Sequence, residues 1–318
     1  MFRLEDIDSL SAELNFIRDN TEKVVRLCAI LQFISREPDL SESLVLKGGT
    51  AINLLMMPVP RLSVDIDLDF TGDYDRPSML RKRKAITARI HSFMFVSGYR
   101  LMPRSKSPFS IDSWVFQYTN VIGNLDNIKI EINYSMRCHL LPVEKRPIQL
   151  EIFSGTKVGS LALVELYASK IKALYERGAA RDLFDVHNMI VSGIIGGAQQ
   201  PLLRKGVVFY AAVGGRESHS GHFSTETIAS MQFRQIRTSL LPVLKKGTFY
   251  DLEAVKQSVC SFLDGLMKLT GSEQEFLERF NAHEYSPELL FDDMEIVGRI
   301  RNHPMALWKT QKITRMRT

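Results

Sequence analysis

The sequence predicts an α/β protein: strands interleaved with helices in the first half of the chain and a mostly helical second half. Three observations carry the prediction. Residues 44 to 70, LVLKGGTAINLLMMPVPRLSVDIDLDF, read as strand, glycine turn, short helix and second strand. Residues 128 to 134 alternate apolar and polar side chains, the period of a half-buried strand. From Ser160 onward the apolar residues recur instead at helical spacing. We therefore expect a core with amino-terminal helices over residues 1–155 and a mainly helical domain over 156–318.

Composition sets the outer limits. The 318 residues carry a net charge of +5 and a mean hydropathy near zero, values of an ordinary water-soluble globule. The mild positive excess fits a nucleotide or nucleic-acid partner without demanding one. Cys28, Cys138 and Cys260 are odd in number and far apart, which predicts a reducing, cytoplasmic setting and no disulfide framework or structural zinc. The first residues are acidic and lack the apolar run of a signal peptide. No apolar run reaches the roughly 20 residues of a membrane span, so no membrane partner is expected.

In chain order, residues 1 to 36 read as helical, with Thr21 as a cap and Val24, Val25, Leu27, Cys28, Ile30, Leu31 and Phe33 as its apolar face. Glu22 and Lys23 read as a solvated helix start and receive no role. The strand Leu44 to Leu46 ends in Lys47, Gly48, Gly49 and Thr50. A helix follows over Ala51 to Met57, stopped by Pro58 and Pro60. The next strand turns Ser63, Asp65, Asp67 and Asp69 to one face and Leu62, Val64, Ile66 and Leu68 to the other. Three carboxylates on one face repel one another unless cations sit there, and a pair of divalent metals handling phosphate is the natural recipient.

Thr71 to Pro77 form a turn-rich loop, after which Ser78 caps a helix running to about Val96 and ended by Gly98. Its Arg81-Lys82-Arg83-Lys84 run points all round the helix, either as a solvated face or as one edge of a phosphate-contacting surface. Strands follow near 114–118 and 128–134, the second with Glu131 as its only carboxylate. Glu144-Lys145-Arg146 reads as a connection, Ile148 to Phe153 as a strand and Thr156 to Gly159 as a loop.

The helix from Ser160 closes at Gly178. Lys172 has Glu176 one turn on, whereas Lys170 sits beside an apolar stripe with no acid at helical spacing. Lys170 therefore either snorkels to water or meets an anion from elsewhere in the fold. Asp182 and Asp185 lie three apart near the next helix start, as a cap and a dipole partner, and a capping aspartate that faces the cleft can also orient Lys170 or the nucleotide. Helices are expected near 201–213, 225–238, 251–269, 272–280 and 287–300. His219 and His222 have metal-compatible spacing but no third ligand nearby. The basic tail, from Arg299 to Arg317 with Trp308, suits either nucleic-acid contact or plain solvation.

Gly-Gly-Thr after a strand, then Arg-x-Ser-x-Asp-x-Asp on the next, resembles the DNA polymerase beta-like nucleotidyltransferases. Lys47-Gly48-Gly49-Thr50-Ala51 with Arg61-Leu62-Ser63-Val64-Asp65-Ile66-Asp67-Leu68 is similar to the AbiEii/AbiGii toxins, which include the MenT toxins. The resemblance covers roughly residues 20 to 190 and implies a nucleotidyltransferase core with a mixed sheet. It implies Asp65, Asp67 and Glu131 as metal ligands, Glu131 as the third carboxylate from a neighbouring strand. It further implies Lys170 as the lysine required for activity and Asp182 as part of the last motif, basic-Asp-hydrophobic-hydrophobic-Asp. Backbone groups of Gly48, Gly49 and Thr50 are expected at the β- and γ-phosphates, with Arg61, Ser63 and Lys47 near the nucleotide. Lys170 and Asp182 are expected to reach the cleft from the helical domain.

The chemistry implied is NMP transfer from an NTP with two Mg²⁺ ions. The implied acceptor is RNA, the tRNA 3′ end, and the implied partner a cognate antitoxin. Transfer to a small molecule such as an aminoglycoside is a second reading, and a non-catalytic nucleic-acid-binding protein of the same fold a third.

Overall fold

A computed structural model describes residues 3–72, 75–214 and 221–311. The chain divides into two units. The first holds residues 1–137, 143–161 and 236–250, and the second holds 138–142, 162–235 and 251–318. The division expected after residue 155 thus falls after 161, and two short stretches belong to the unit opposite their neighbours in sequence.

Unit one begins with α1 (Leu4–Leu14), α2 (Arg18–Arg36) and the single turn α3 (Pro38–Ser41). Strand β1 (Leu44–Lys47) runs straight into α4 (Gly48–Ala51), which continues as a π-turn over Ile52–Met56. Then come β2 (Asp65–Phe70), α5 (Arg76–Val96), β3 (Arg100–Leu101), β4 (Ile111–Thr119), β5 (Leu125–Asn133), β6 (Glu144–Pro147) and β7 (Lys157–Ser160). They form one mixed sheet in the order β3-β4-β5-β2-β1-β7-β6. β2 lies at its centre, antiparallel to β1 and parallel to β5.

The two faces of the sheet differ as the alternation predicts. Trp114, Phe116 and Tyr118 of β4 and Ile128, Ile130 and Ile132 of β5 are buried on one face. Helices α2 and α5 cover that side: Phe33 stacks on Phe93 at 3.9 Å between ring centres, and His91 packs edge-on against Trp114. The opposite face carries Asp65, Asp67, Lys129 and Glu131, all half-buried.

Several local expectations need correction. Thr21 does not cap α2, which starts earlier behind Ile17, and its hydroxyl donates to the Ile17 carbonyl. Glu22 is no solvated residue: it is fully buried, pairs with Arg26 at 2.7 Å and accepts the Val121 N–H. Lys23 reaches Asp126 at 2.8 Å. Asp75, rather than Ser78, caps α5 by accepting the Ser78 N–H. The stretch expected as a connection is β6, the loop at 156–159 gives way to β7, and Ile148 to Phe153 contains only a 3-10 turn at Glu151–Phe153. Strands of four residues, as β6 and β7 are, carry too few positions for alternation to reveal them.

Unit two is built from α6 (Leu163–Arg177), α7 (Ala180–Ser192), α8 (Gln200–Gly214), the short turns α9 (Glu226–Ala229) and α10 (Phe233–Gln235), α11 (Leu252–Leu266), α12 (Gly271–Asn281), α13 (Met294–Ile300) and α14 (Pro304–Thr310). Gly178 ends α6 in the left-handed conformation, at φ 53°, as expected of that C-cap. α6 lies against α8, where Gly206 allows close approach: a Cβ there would come within 2.8 Å of the Ala168 Cβ. Glu165 is buried and accepts the Leu140 and Leu141 N–H groups and the Tyr210 hydroxyl, which binds the 138–142 segment to α6. Part of the basic tail is packed: His303 is buried as the N-cap of α14, and Lys309 donates to the Ala212 carbonyl at 2.8 Å. Lys312, Arg315, Arg317 and His219 lie outside the described residues. No described helix is long and apolar enough to cross a membrane.

Candidate active site

The register of three strands assembles the centre in unit one. Asp67 of β2 pairs in register with Lys47 of β1 on one side and Glu131 of β5 on the other. Asp65 pairs with Lys129 and Asp69 with Asn133. Paired residues on neighbouring strands share a face at the ~4.8 Å strand spacing. Asp65, Asp67 and Glu131 thus stand together although 66 positions of sequence separate Asp65 from Glu131.

The glycine turn closes against this face. Gly48 has φ +70°, and a Cβ there would lie 2.7 Å from the Asp67 Oδ2. A Cβ on Gly49 would lie 2.6 Å from the Arg61 Nη2 and 3.3 Å from the Ser63 Oγ. Each glycine therefore makes room for a particular polar side chain. Arg61 is 2% exposed, a guanidinium held inside the protein beside the turn. Its Nη1 donates to the Leu62 carbonyl at 2.9 Å, and the Leu62 N–H reaches the Val243 carbonyl. Helix α4 has no side-chain cap, so its first-turn N–H groups are those that ordinarily lack an intrahelical partner.

Two expected nucleotide contacts have other engagements. The Thr50 hydroxyl is buried, donates to the Asp65 carbonyl and lies 2.9 Å from the Ser63 Oγ, tying the turn to the start of β2. Lys47 places its ammonium 2.5 Å from the Asp69 carboxylate, which is nearly inaccessible. The third carboxylate of the Asp-x-Asp-x-Asp run is thereby paired within the framework. Sequence reading also passed over Asn53, whose fully buried amide donates to the Gly49 carbonyl at 2.8 Å. Its signal was a lone polar residue one turn beyond Gly49 within an apolar helix.

The carboxylates suit a hard divalent cation by their chemistry: three oxygen donors from adjacent strands on a half-buried face. Among the described residues no three His, Cys, Asp or Glu groups form a metal-binding cluster. Glu131 instead accepts from the Lys129 ammonium on its own strand.

Lys170 and Asp182 meet in unit two. The anion that Lys170 lacked within its helix is supplied by α7: its Nζ lies 2.8 Å from Asp182 and 3.1 Å from Asp185. Asp182 also accepts from the Arg177 Nε at 2.7 Å. It is no N-cap, since α7 starts behind Ala179 and the Asp182 side chain turns inward. Burial pushes its carboxyl up, but Lys170 and Arg177 together hold it below the usual carboxylate range. Asp185, the second aspartate of the basic-Asp-hydrophobic-hydrophobic-Asp run and the residue also expected at the helix dipole, is a second buried partner of Lys170. The Lys172–Glu176 pair is present at 2.7 Å.

The basic run on α5 divides by position. Arg83 is committed to Asp112 at 2.6 Å and to carbonyls of residues 108 and 109. Arg89 pairs with Glu37 and Asp39. Arg81 and Lys84 remain on the exposed side.

The sequence matches the family of nucleotidyl transferase AbiEii toxins of type IV toxin–antitoxin systems over residues 32–264. A search of curated proteins by sequence returns no match. Among solved structures the chain is similar to MenT4, a nucleotidyltransferase toxin from Mycobacterium tuberculosis, with a TM-score of 0.65. That likeness covers 96% of this chain and 99% of that one at 16% identity, and it speaks to the fold alone. An Escherichia coli CdnC–HORMA complex overlaps at a TM-score of 0.26 and 12% identity, over 86% of this chain and 95% of that one, too low to carry an argument.

Proposed function

Because this chain belongs to the AbiEii family of nucleotidyltransferase toxins, we propose that it transfers a nucleoside monophosphate from an NTP to the 3′ end of tRNA and so stops translation. Membership makes it a nucleotidyltransferase with an NTP substrate and a cognate antitoxin. The acceptor and the metal belong to our reading.

One observation carries it: the register that sets Glu131 beside Asp67, one strand step from Asp65, with the Gly48 turn pressed against Asp67. Asp65, Asp67 and Glu131 would hold magnesium, two ions in this reading, which supplies neutralisation of the triphosphate and a lowered pKa at the acceptor hydroxyl. The protein's own groups do the positioning. First-turn N–H groups of Gly48, Gly49 and Thr50 present donors to the β- and γ-phosphates, where a glycine backbone permits close approach. Arg61 supplies a buried positive charge, and a guanidinium remains protonated at any working pH. Ser63 orients a phosphate oxygen or the Asp65 carbonyl region through Thr50. Lys47 serves the centre through Asp69 rather than by touching phosphate. Lys170 enters on the family's motif as a cation fixed in place by Asp182 and Asp185.

The test uses purified protein with α-³²P-labelled CTP, UTP, GTP or ATP, Mg²⁺ and total tRNA, with Asp67→Ala alongside. Label in tRNA that disappears in the variant is the expected result, and it names the base. Label in a small molecule or in the protein, with tRNA unlabelled, would overturn the acceptor assignment and retain the transferase. No transfer to any acceptor would leave the third reading, nucleic-acid binding without catalysis.

A further inference from the structure

We propose that Lys129 is the resident counter-ion of Glu131 on the carboxylate face, and that its ammonium competes with the divalent cation for that carboxylate. The inference rests on the reading of that face as a metal site.

Lys129 and Glu131 are two positions apart on β5, so both point to the face that carries Asp65 and Asp67. Lys129 stands in register with Asp65, Glu131 with Asp67. Three carboxylates at strand spacing repel one another when nothing positive lies among them. Lys129 supplies a positive charge to Glu131: its ammonium is hydrogen-bonded to that carboxylate.

A second lysine on this face shows the contrast. Lys47 pairs with Asp69, with side chains 26% and 4% exposed, in a closed pair. The side chains of Lys129 and Glu131 keep 40% and 26% exposure. An exposed pair of this kind is weak and exchanges readily with solvent and other ions. Lys47 is therefore a permanent partner and Lys129 a displaceable one. For Glu131 to join Asp65 and Asp67 around a cation, its oxygens must leave the ammonium, and that step lowers the affinity of the site for metal. Lys129 is a positioning residue in this scheme and touches no reacting atom.

The experiment is Mn²⁺ binding to the full chain without nucleotide, read from the electron paramagnetic resonance signal of the free ion. Thermal melts confirm that each variant is folded. Lys129→Met is expected to tighten Mn²⁺ about two- to fivefold, the range open to an exposed ion pair. Lys129→Arg is expected to keep the wild-type affinity, and Lys129→Met is expected to add nothing in a Glu131→Gln background. Unchanged or weaker binding by Lys129→Met would overturn the proposal. So would equal tightening with and without Glu131, which would reveal a general field effect rather than competition for one ligand. Asp67→Asn separates the two levels: if it binds Mn²⁺ as the wild type does, the metal site itself has been misassigned, and if it loses binding while Lys129→Met stays silent, only the role of Lys129 falls.

Discussion

Replacing Gly48 by alanine tests the close contact between the glycine turn and Asp67. Gly48 sits at φ +70°, where an L-residue loses roughly 1–2 kcal/mol to the clash of its Cβ with the backbone. The new methyl would also lie 2.7 Å from the Asp67 Oδ2, with the Asp67 Cβ and Cγ at 3.4 and 3.5 Å. Ordinary contact begins near 3.4 Å, so the carboxylate must retreat by about 0.7 Å. Driving that side chain off its rotamer adds about 0.5–1.5 kcal/mol. The expected loss of stability is therefore about 1.5–3.5 kcal/mol, measured by urea denaturation. Activity should fall further, since displacing a reacting group by around 1 Å costs on the order of 100-fold. Gly123→Ala is the control: it has φ +90° but nothing within 4 Å of a new Cβ. It should lose the backbone energy alone and keep its rate of NMP transfer. If Gly48→Ala transfers NMP within about threefold of wild type, the coupling of Gly48 to Asp67 is refuted. Equal losses of activity in both glycine variants would refute it as well.

Other outcomes follow from the ion pairs. Lys47→Met should destabilise by on the order of 3 kcal/mol, because it strands the nearly inaccessible Asp69 charge, and Asp69→Asn in the same chain should restore most of that loss in denaturant melts. Asp182 has a folded pKa below its unfolded value, so its contribution is fully present above the unfolded pKa, near 3.9, and is lost as pH falls through the folded value. The stability gap between wild type and Asp182→Asn should therefore be constant at neutral pH and close only in acid below about pH 4, measured by melts across that range. Lys170→Met should cost about 3–5 kcal/mol by leaving Asp182 and Asp185 with one fewer cation, so its loss of transfer must be judged on the folded fraction. Chelation with EDTA should abolish NMP transfer while the circular dichroism spectrum stays unchanged, and activity should return with added Mg²⁺.

The sequence alone determined the elements that alternation and punctuation mark. β2 and β5 are legible because a strand with one wet face has a period of two, and α6 because a helix ending in glycine has both a period and a stop. The pattern Gly48-Gly49 followed by Asp65 and Asp67 was also legible, because its chemistry lies within one short stretch. The tertiary structure decided which charges are used where. Asp69 looked like the equal of Asp65 and Asp67 until β1 laid Lys47 beside it. Glu22 looked solvated until the chain returned 99 residues later and set the Val121 N–H on it. Lys170 gained its partners from the following helix, at a spacing that no single-helix rule covers. Periodicity reports which face a residue occupies, a local property of the backbone. The partner it meets on that face is set by register and by non-local packing, and these arise only when separate segments of the chain are brought together.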